Sequence, residues 1–320
     1  MSKKVAVILF NHGYPKSLDE IKSFLFNIFY DPAFLTVSNP MRWMMARSIS
    51  KQSAPKARNI FRELEDASII SDETEKQKVK LEAHLNKISN DDFKCFIFMR
   101  YWAPLATDIL GDLKDYSPDE MIMLPLYPQY SITTTGSGLI EWNKYFTKAN
   151  FKTPFRVIKE YPEGDFFIDT MADMINEKLN NIDHNKYRIL LCAKAIPKKT
   201  IEAGDPYLSQ VERTASALVK KIENENLDVV ICYQRRLGPL DQIGPTIEDQ
   251  IEKAAEDNKN IIIVPISHVS ECPETLVELD FQYKEVAANA GIKDYVRINT
   301  VQDNDKFIVG LADLVMENRV

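Results

Sequence analysis

The sequence predicts an α/β protein with two Rossmann-like lobes, each containing a four-stranded parallel sheet flanked by helices. Short apolar runs recur along the chain, and each is apolar on both faces, as buried parallel strands are. Segments with helical spacing of apolar residues separate these runs, as in βαβ units. A length of 320 residues, 45% of them hydrophobic, favours two domains over one. The predicted strands are Val5–Phe10, Phe93–Met99, Met121–Tyr127, Phe155–Glu160, Arg188–Ala193, Val229–Tyr233, Ile261–Ile266 and Tyr295–Thr300.

Two helices illustrate the segments between the strands. The segment Ser71–Ile88 has Asp72 as a candidate N-cap and Glu73 in its first turn. The segment Tyr207–Asn224 places apolar residues at helical spacing, which predicts a helix with one buried face. These residues are Leu208, Val211, Ala215, Leu218 and Ile222.

The strands fall into two sets of four, with a weak boundary near 150–153. We therefore expect an N-terminal lobe over residues 1–150 and a C-terminal lobe over 151–303. Two such lobes would place a cleft between strand ends, which is the usual location of a ligand site.

Composition excludes several classes of protein. The net charge is −7, and the 40 basic residues are interleaved with 47 acidic ones, so no basic surface for nucleic acid is predicted. The four cysteines are widely separated and form no CxxC motif, which favours reduced thiols in a cytosolic protein. The apolar run Val5–Phe10 is too short for a signal peptide, and no run is long enough to cross a bilayer. We expect a cytoplasmic protein.

Polar and aromatic residues cluster where several predicted strands end, which indicates a pocket rather than a core. Motifs for dinucleotides, for the P-loop and for zinc proteases are all missing. The strand-end segments are NHGYP (residues 11–15), MRYWAP (99–104), LPLYPQYSITTTGSG (124–138), LLCAKAIP (190–197) and PISHVSECPETLVELD (265–280).

These segments, together with AGDPYLSQ (203–210) and RRLGP (235–239), resemble the ferrochelatase family in its bacterial form. The resemblance covers nearly the whole chain, and PLYPQYSITTTGS is its most specific part. It implies two chelatase-like lobes, with a C-terminal helix at about 304–320 closing on the first, and a tetrapyrrole cleft between them. It also implies insertion of ferrous iron into a porphyrin in haem biosynthesis, with porphyrin and a divalent metal ion as substrates and no tightly bound cofactor.

The resemblance also assigns site residues. It implies a catalytic carboxylate at Glu274, with Glu274 and His12 as metal contacts. The residues that it places against the porphyrin are His12, Arg100, Tyr101, Tyr130, Ser131, Gln242 and His268.

This chain departs from the family pattern at several of these positions. Lys194 stands in LCAKAIP where the family has FSAHGLP with an invariant active-site histidine, and Cys272 replaces the histidine of SEHxET. Gln242 replaces a pocket tryptophan, and His268 replaces a pocket phenylalanine. Within NHGYP, Tyr14 stands in place of a glycine. The frame motifs persist while the residues expected at the porphyrin or metal differ.

The substitution at Lys194 bears most directly on metal insertion. Insertion needs a base for two pyrrole protons and ligands for iron, and an ammonium supplies neither. At about 4 Å it would repel a divalent ion by roughly 8 kcal/mol at an effective dielectric constant of about 20. Neutralising it would cost roughly 4 kcal/mol for a three-unit drop in pKa. We expect a Lys194–Glu274 ion pair at the metal position.

The histidines leave an alternative open. His268 and Cys272 are four residues apart near a helix expected to start at about Ser270, and one helical face could present both to a soft metal. We favour a simpler role for His268, filling the volume of a phenylalanine and bonding a backbone carbonyl. His12 could supply relocated metal ligation.

The stretch PMRWMMARSIS (40–50) carries methionines and a tryptophan at spacing that usually faces a core. By resemblance it forms a lip over the pocket, where its apolar side could contact a membrane surface or a porphyrin. Both interpretations remain open at this point.

Three functions from different classes follow. The first is a ferrochelatase-like protein that binds tetrapyrrole while metal insertion is weak or lost. The second is an active ferrochelatase that uses Glu274 with His12 or His268. The third is a metal- or partner-binding pseudoenzyme without catalysis.

Overall fold

The protein was analysed as a computed structural model, which describes residues 2–64, 69–224, 226–234 and 243–319. The chain divides into two compact units. One comprises Met1–Arg58, Asp66–Tyr161 and Asp303–Val320; the other comprises Asn59–Glu65 and Pro162–Gln302.

The first unit contains a four-stranded parallel sheet. Its strands are β1 (Lys4–Asn11), β2 (Asp92–Met99), β3 (Glu120–Pro125) and β4 (Phe155–Val157), in the order β2-β1-β3-β4. Burial explains why β1 is central, because every residue from Val5 to Phe10 is fully buried. The first unit runs to Tyr161, beyond the boundary expected near 150–153, because β4 pairs with β3.

The second unit repeats this topology. Its strands are β5 (Tyr187–Lys194), β6 (Asp228–Gln234), β7 (Asn260–Pro265) and β8 (Tyr295–Arg297), in the parallel order β6-β5-β7-β8. An aliphatic core around Leu190, Ile251 and Ile263 packs helices on this sheet. The predicted fold class is thus confirmed, with two parallel four-stranded sheets flanked by helices.

Helices connect the strands in both units. Those whose residues belong mainly to the first unit are α1 (Ile21–Phe29), α2 (Asn39–Glu63), α3 (Ile69–Ile88), α4 (Ala106–Tyr116), α5 (Ser137–Lys148) and α11 (Asp305–Glu317), with a short π-helix, π1 (Ile132–Gly136), before α5. Those of the second unit are α6 (Asp165–Leu179), α7 (Lys198–Glu202), α8 (Tyr207–Lys221), α9 (Ile247–Glu256) and α10 (Tyr283–Asn289), with a second π-helix, π2 (Glu274–Gln282), before α10.

Element ends differ from prediction in three instructive places. Helix α3 begins at Ile69, so Asp72 lies in its first turn and is not its cap. The helix expected from about Ser270 begins only at Glu274, after Pro273. Strand β8 ends at Arg297 because the backbone N–H of Thr300 is donated to the Glu271 carboxylate at 2.9 Å, away from the sheet.

Over residues 41–57, helix α2 buries small side chains and exposes large apolar ones, whereas Ile60 and Phe61 near its end are buried. Its buried face carries Ala46, Ser50, Ala54 and Ala57, at intervals of three or four residues. The exposed side chains include Met41, Trp43, Met44 and Met45, so the core-facing interpretation of this stretch is wrong. Within the described ranges, the chain has no helix that is both long and apolar enough to span a membrane.

Candidate functional site

The strand order places a switch point in each sheet. In the first unit β1 lies between β2 and β3, and in the second β5 lies between β6 and β7. Connections leave such adjacent strands in opposite directions, which opens a crevice at their carboxyl ends. The segments after β1 and β3, and those after β5 and β7, are the ones that the sequence singles out.

His12 lies just beyond β1 among aromatic rings. It is buried, and its ring centroid is 4.7 Å from that of Tyr101, 5.0 Å from Tyr14 and 5.8 Å from Phe24. Its backbone N–H is donated to the side chain of Asn11 at 2.8 Å, which fixes the turn. Tyr14 contributes one side of this aromatic surrounding.

Arg100 and Tyr101 belong to a buried polar network just past the end of β2. Arg100 donates to Asp31 at 2.9 Å and to the hydroxyl of Ser137 at 2.6 Å, while Tyr101 donates its hydroxyl to Asp31 at 2.8 Å. Ser137 also donates to Asp31. The Arg100 guanidinium lies 4.7 Å from the centre of the Tyr101 ring.

This network limits what Tyr101 can do. Burial raises the pKa of the Tyr101 phenol well above its usual range, and the Asp31 carboxylate adds to the rise. The phenol is therefore a fixed donor and not a proton carrier. Arg100 is partly exposed and keeps guanidinium surface outside the network.

Ser131 caps the π1 helix, and Tyr130 lies beside it. The Ser131 hydroxyl accepts the backbone N–H of Thr133 at 3.1 Å, and its carbonyl accepts the N–H of Gly136 at 3.0 Å. A Cβ at Gly136 would lie 2.7 Å from the Ile132 Cδ1 and 2.9 Å from the Tyr130 hydroxyl, so the ends of both side chains would have to shift. The π1 helix leads directly to Ser137 of the Arg100 network.

In the second unit, Lys194 is the last residue of β5. Its backbone N–H is donated to the Ser267 hydroxyl at 2.9 Å, and it pairs in register with Gln234 of β6. The ion pairs formed among the described residues do not include Lys194. The structure therefore does not form the expected Lys194–Glu274 ion pair.

Lys194, Cys272 and Glu274 nonetheless share one electrostatic environment. Burial raises the pKa of the Cys272 thiol well above its usual range; the Glu274 carboxylate adds to the rise, and the Lys194 ammonium opposes it. Thr275 holds the backbone of Cys272 by accepting its N–H at 2.9 Å. At neutral pH Cys272 is a protonated thiol, which is a poor metal ligand.

Glu274 begins the π2 helix, and Gln234 holds that turn. The Gln234 amide nitrogen donates to the backbone carbonyl of Glu274 at 2.8 Å and to the carboxylate of Glu278 at 2.7 Å. Glu274 itself is partly exposed. Its carboxylate is thus carried by an anchored backbone.

A buried ionic cluster supports the turn before π2. Glu271 pairs with Arg297 at 2.9 Å, and Arg297 also pairs with Asp280 at 2.5 Å. Glu271 further accepts the Thr275 hydroxyl at 2.5 Å and the Thr300 N–H. The segment that carries Cys272 and Glu274 is therefore fixed from several sides.

The remaining predicted residues are placed separately. His268 is buried in the turn after β7, and because π2 begins at Glu274, His268 and Cys272 do not share a helix face. Gln242 lies outside the described residues. Over the ranges that the structure describes, no three histidine, cysteine or acidic side chains cluster closely enough to hold a metal ion.

Sequence reasoning missed Asp31, Ser137, Gln234 and Glu271. A lone aspartate in a loop carries no pattern signal, and Ser137 was seen only as part of a glycine-containing loop. Gln234 had a usable signal, because it ends an apolar run whose neighbour in a parallel sheet would be Lys194.

The sequence model of the ferrochelatase family matches residues 4–319. Among curated relatives, a ferrochelatase of Rickettsia bellii (strain OSU 85-389) is 43% identical over 315 residues, covering 98% of this chain and 87% of that protein. A ferrochelatase of Pelagibacter ubique (strain HTCC1062) is 40% identical over 315 residues, covering 98% and 91%.

Solved structures agree on the fold. SirB from Bacillus subtilis with Fe3+ matches with a TM-score of 0.56 at 8% identity, covering 99% of this chain and 95% of that one. CbiX, described as the terminal enzyme for biosynthesis of siroheme in denitrifying bacteria, matches with a TM-score of 0.53 at 11% identity, covering 99% and 100%. At such identities these likenesses show the chelatase fold alone.

Proposed function

Because this chain belongs to the ferrochelatase family, we propose that it binds a porphyrin at the strand ends described above and inserts ferrous iron only weakly or not at all. Membership supports a porphyrin and a divalent metal ion as substrates in haem biosynthesis. The replaced residues support the finer statement about rate. We propose no tightly bound cofactor.

The proposal depends on the expectation, from the family resemblance, that Lys194 and Cys272 stand where the family pattern has two histidines; the observation that supports it is the charge environment that these residues share with Glu274. Lys194 ends β5, and its charge acts on Cys272 together with that of Glu274. An ammonium cannot accept a pyrrole proton and repels an approaching divalent cation. A protonated thiol provides no strong ligand. Glu274 is the carboxylate left to accept protons.

Porphyrin binding is supported by the surfaces that the substitutions leave in place. Arg100 keeps partly exposed guanidinium surface, and its position is fixed by Asp31 and Ser137. Tyr130 and Ser131 keep their arrangement around π1. We propose that Arg100 binds a propionate of the porphyrin and that His12, Tyr101, Tyr130 and His268 line the ring.

The active alternative would use Glu274 with His12 or His268. His12 lies among three aromatic rings, which favours ring packing over metal ligation. The geometry therefore favours the first proposal.

We further propose that the exposed side chains of residues 40–50 make peripheral contact with a membrane surface. Trp43 is 47% exposed and Met44 is 61% exposed, so this face is not consumed by packing within the first unit. A cytoplasmic location fits such contact and remains a proposal.

Titration of the Soret band tests the binding half of the proposal. We expect the parent to show saturable binding at micromolar porphyrin. The Arg100→Met variant should bind about tenfold more weakly, because it loses one hydrogen bond to a charged group of the porphyrin. Arg156→Met, at an exposed arginine of β4, is the matched control and should bind as the parent does. A parent that shows no saturable change contradicts porphyrin binding.

A further inference from the structure

Gln234 lies between two segments of the candidate site, the end of β5 and the start of π2. It is the last residue of β6, is 3% exposed, and pairs in register with Lys194. Side chains at paired positions of neighbouring parallel strands project to the same face of the sheet. Gln234 and Lys194 therefore leave the sheet side by side.

Three hydrogen bonds join Gln234 to these two segments. Its backbone carbonyl accepts the N–H of Ala195, the residue that follows Lys194, at 3.1 Å. Its amide nitrogen donates to the Glu274 carbonyl at 2.8 Å and to the Glu278 carboxylate at 2.7 Å. Gln234 thus bonds the end of β5 through its backbone carbonyl and the first turn of π2 through its buried side chain.

The orientation of the Gln234 amide follows from its partners. A carbonyl and a carboxylate only accept hydrogen bonds, so the NH2 group must face them and the oxygen must face away. That oxygen is buried and accepts no hydrogen bond from the described part of the chain. A buried acceptor without a donor is unfavourable. An amide at this position is therefore explained by its two donor contacts and not by space filling.

We propose that Gln234 is a positioning residue, which holds the backbone of Glu274 and the carboxylate of Glu278 beside the end of β5. This inference rests on the proposed function, because positioning Glu274 matters for activity only if Glu274 accepts protons from a bound tetrapyrrole. Gln234 donates to the Glu274 carbonyl in the first turn of π2, so it acts on the backbone that carries the Glu274 side chain.

The titratable groups that interact electrostatically in this region come from four elements and from the loop before π2. The Cys192 thiol of β5 interacts with the Cys232 thiol of β6, with Glu278 of π2 and with Glu248 of α9. The Cys272 thiol interacts with Glu274 of π2, with Lys194 of β5 and with Glu271. Lys194 is the cation of this set, so a further carboxylate introduced at 234 would face more negative than positive charge.

The test compares Gln234→Met and Gln234→Glu with the parent. In the ligand-free protein, amide hydrogen exchange of residues 274–282 should be about tenfold faster in Gln234→Met than in the parent. This is the effect expected from the loss of a hydrogen bond to a charged group. At about pH 8, exchange of these residues in Gln234→Glu should be as fast as in Gln234→Met. At about pH 5 it should slow towards the parental rate, because the introduced carboxylate then shares a proton with Glu278. Exchange is corrected for the intrinsic effect of pH.

Gln250→Met, at a buried glutamine of α9, is the matched control and should leave exchange of residues 274–282 unchanged. Porphyrin affinity supplies the second measurement, and we expect about tenfold weaker binding for Gln234→Met alone. Three results would each overturn the positioning role. The first is exchange of residues 274–282 in Gln234→Met at the parental rate, and the second is an equal return of both Gln234 variants towards the parental rate in acid. The third is faster exchange in Gln234→Met with a porphyrin affinity equal to that of the parent. A parent that binds no porphyrin would instead contradict the proposed function, and the exchange comparison would still decide whether Gln234 holds the two glutamates.

Discussion

At the scale of single residues, sequence and structure agree best where one side chain ends a strand. Lys194 is expected at the end of β5 and is found there. Its charge and that of Glu274 both act on the Cys272 thiol. The expected Lys194–Glu274 ion pair is not among those formed by the described residues, and Gln234 holds the backbone carbonyl of Glu274. Residue chemistry was readable from the sequence, whereas a long-range contact such as that of Gln234 was not.

Asp31 shows what residue patterns cannot reveal. Its carboxylate is buried and accepts hydrogen bonds from Arg100, Tyr101 and Ser137, which come from three distant parts of the chain. No local pattern distinguishes this aspartate from one in an exposed loop.

The Asp31 network predicts a large effect on stability. Asp31→Asn leaves the partly buried Arg100 without its anion, so the free energy of unfolding should fall by about 3 kcal/mol. Asp19→Asn, at an exposed aspartate of the same unit, should change it by less than about 0.5 kcal/mol. Denaturant unfolding measures both, and equal stabilities of the two variants would show that the network contributes little.

At the scale of elements, the apolar runs predicted the eight strands found in the described residues, with ends displaced by a few residues. A buried strand needs apolar residues on both faces, and that requirement is visible in a sequence. The two π-helices were not predicted, because their wider turns depend on contacts such as those of Gln234 and on close packing at Gly136. The spacing rule also failed for the first part of α2, where the buried residues Ala46, Ser50, Ala54 and Ala57 are small.

The exposed face of α2 carries an element-scale prediction. Replacing Trp43 and Met44 together by serine should leave the free energy of unfolding within about 0.5 kcal/mol, because neither side chain is buried. Binding to anionic vesicles should fall, since the apolar area available for insertion is lost. Co-sedimentation measures the bound fraction.

Val79→Ser is the control for this measurement. Val79 is an apolar residue of α3 with 55% exposure, and its replacement should not alter the vesicle-bound fraction. A Trp43/Met44 variant that binds vesicles as the parent does would refute membrane contact through α2.

At the scale of the whole molecule, the C-terminal segment returns to the unit that contains the N-terminus. Arg319 pairs with Asp91 at 2.6 Å and with the buried Glu120 at 2.5 Å. Lys80 of α3 pairs with Asp303 and Asp305 at the start of α11, at 2.9 Å in each case. The family resemblance placed this helix against the first lobe; charge pairs show how it is held.

Arg319→Met should lower the free energy of unfolding by about 2 kcal/mol at neutral pH, because Glu120 loses a cation while buried. The backbone N–H of Lys3 and the Arg319 guanidinium hold the pKa of Asp91 below its usual 3.8. The Asp91 share of this stabilisation is therefore present above pH 3.8 and is lost as the pH falls through the lower, folded-state pKa.

Denaturant unfolding as a function of pH measures the effect, with Arg156→Met as the control. The difference between parent and Arg319→Met should shrink in acid, while the control stays near the parent throughout. A difference that grows in acid would contradict the assigned pairing.

Ferrous iron insertion by the parent, beside the Lys194→His/Cys272→His double variant, tests the central claim most directly. Both changes are made together because a single imidazole at 194 would still face a protonated thiol at 272. The account predicts near-background insertion for the parent, and a rate raised by more than about tenfold in a double variant that remains folded and binds porphyrin. Partial activity is expected, since Tyr14 and Gln242 still differ from the family pattern. Rapid insertion by the parent at neutral pH, or equal background rates for both proteins, would contradict the claim that Lys194 and Cys272 limit metal insertion.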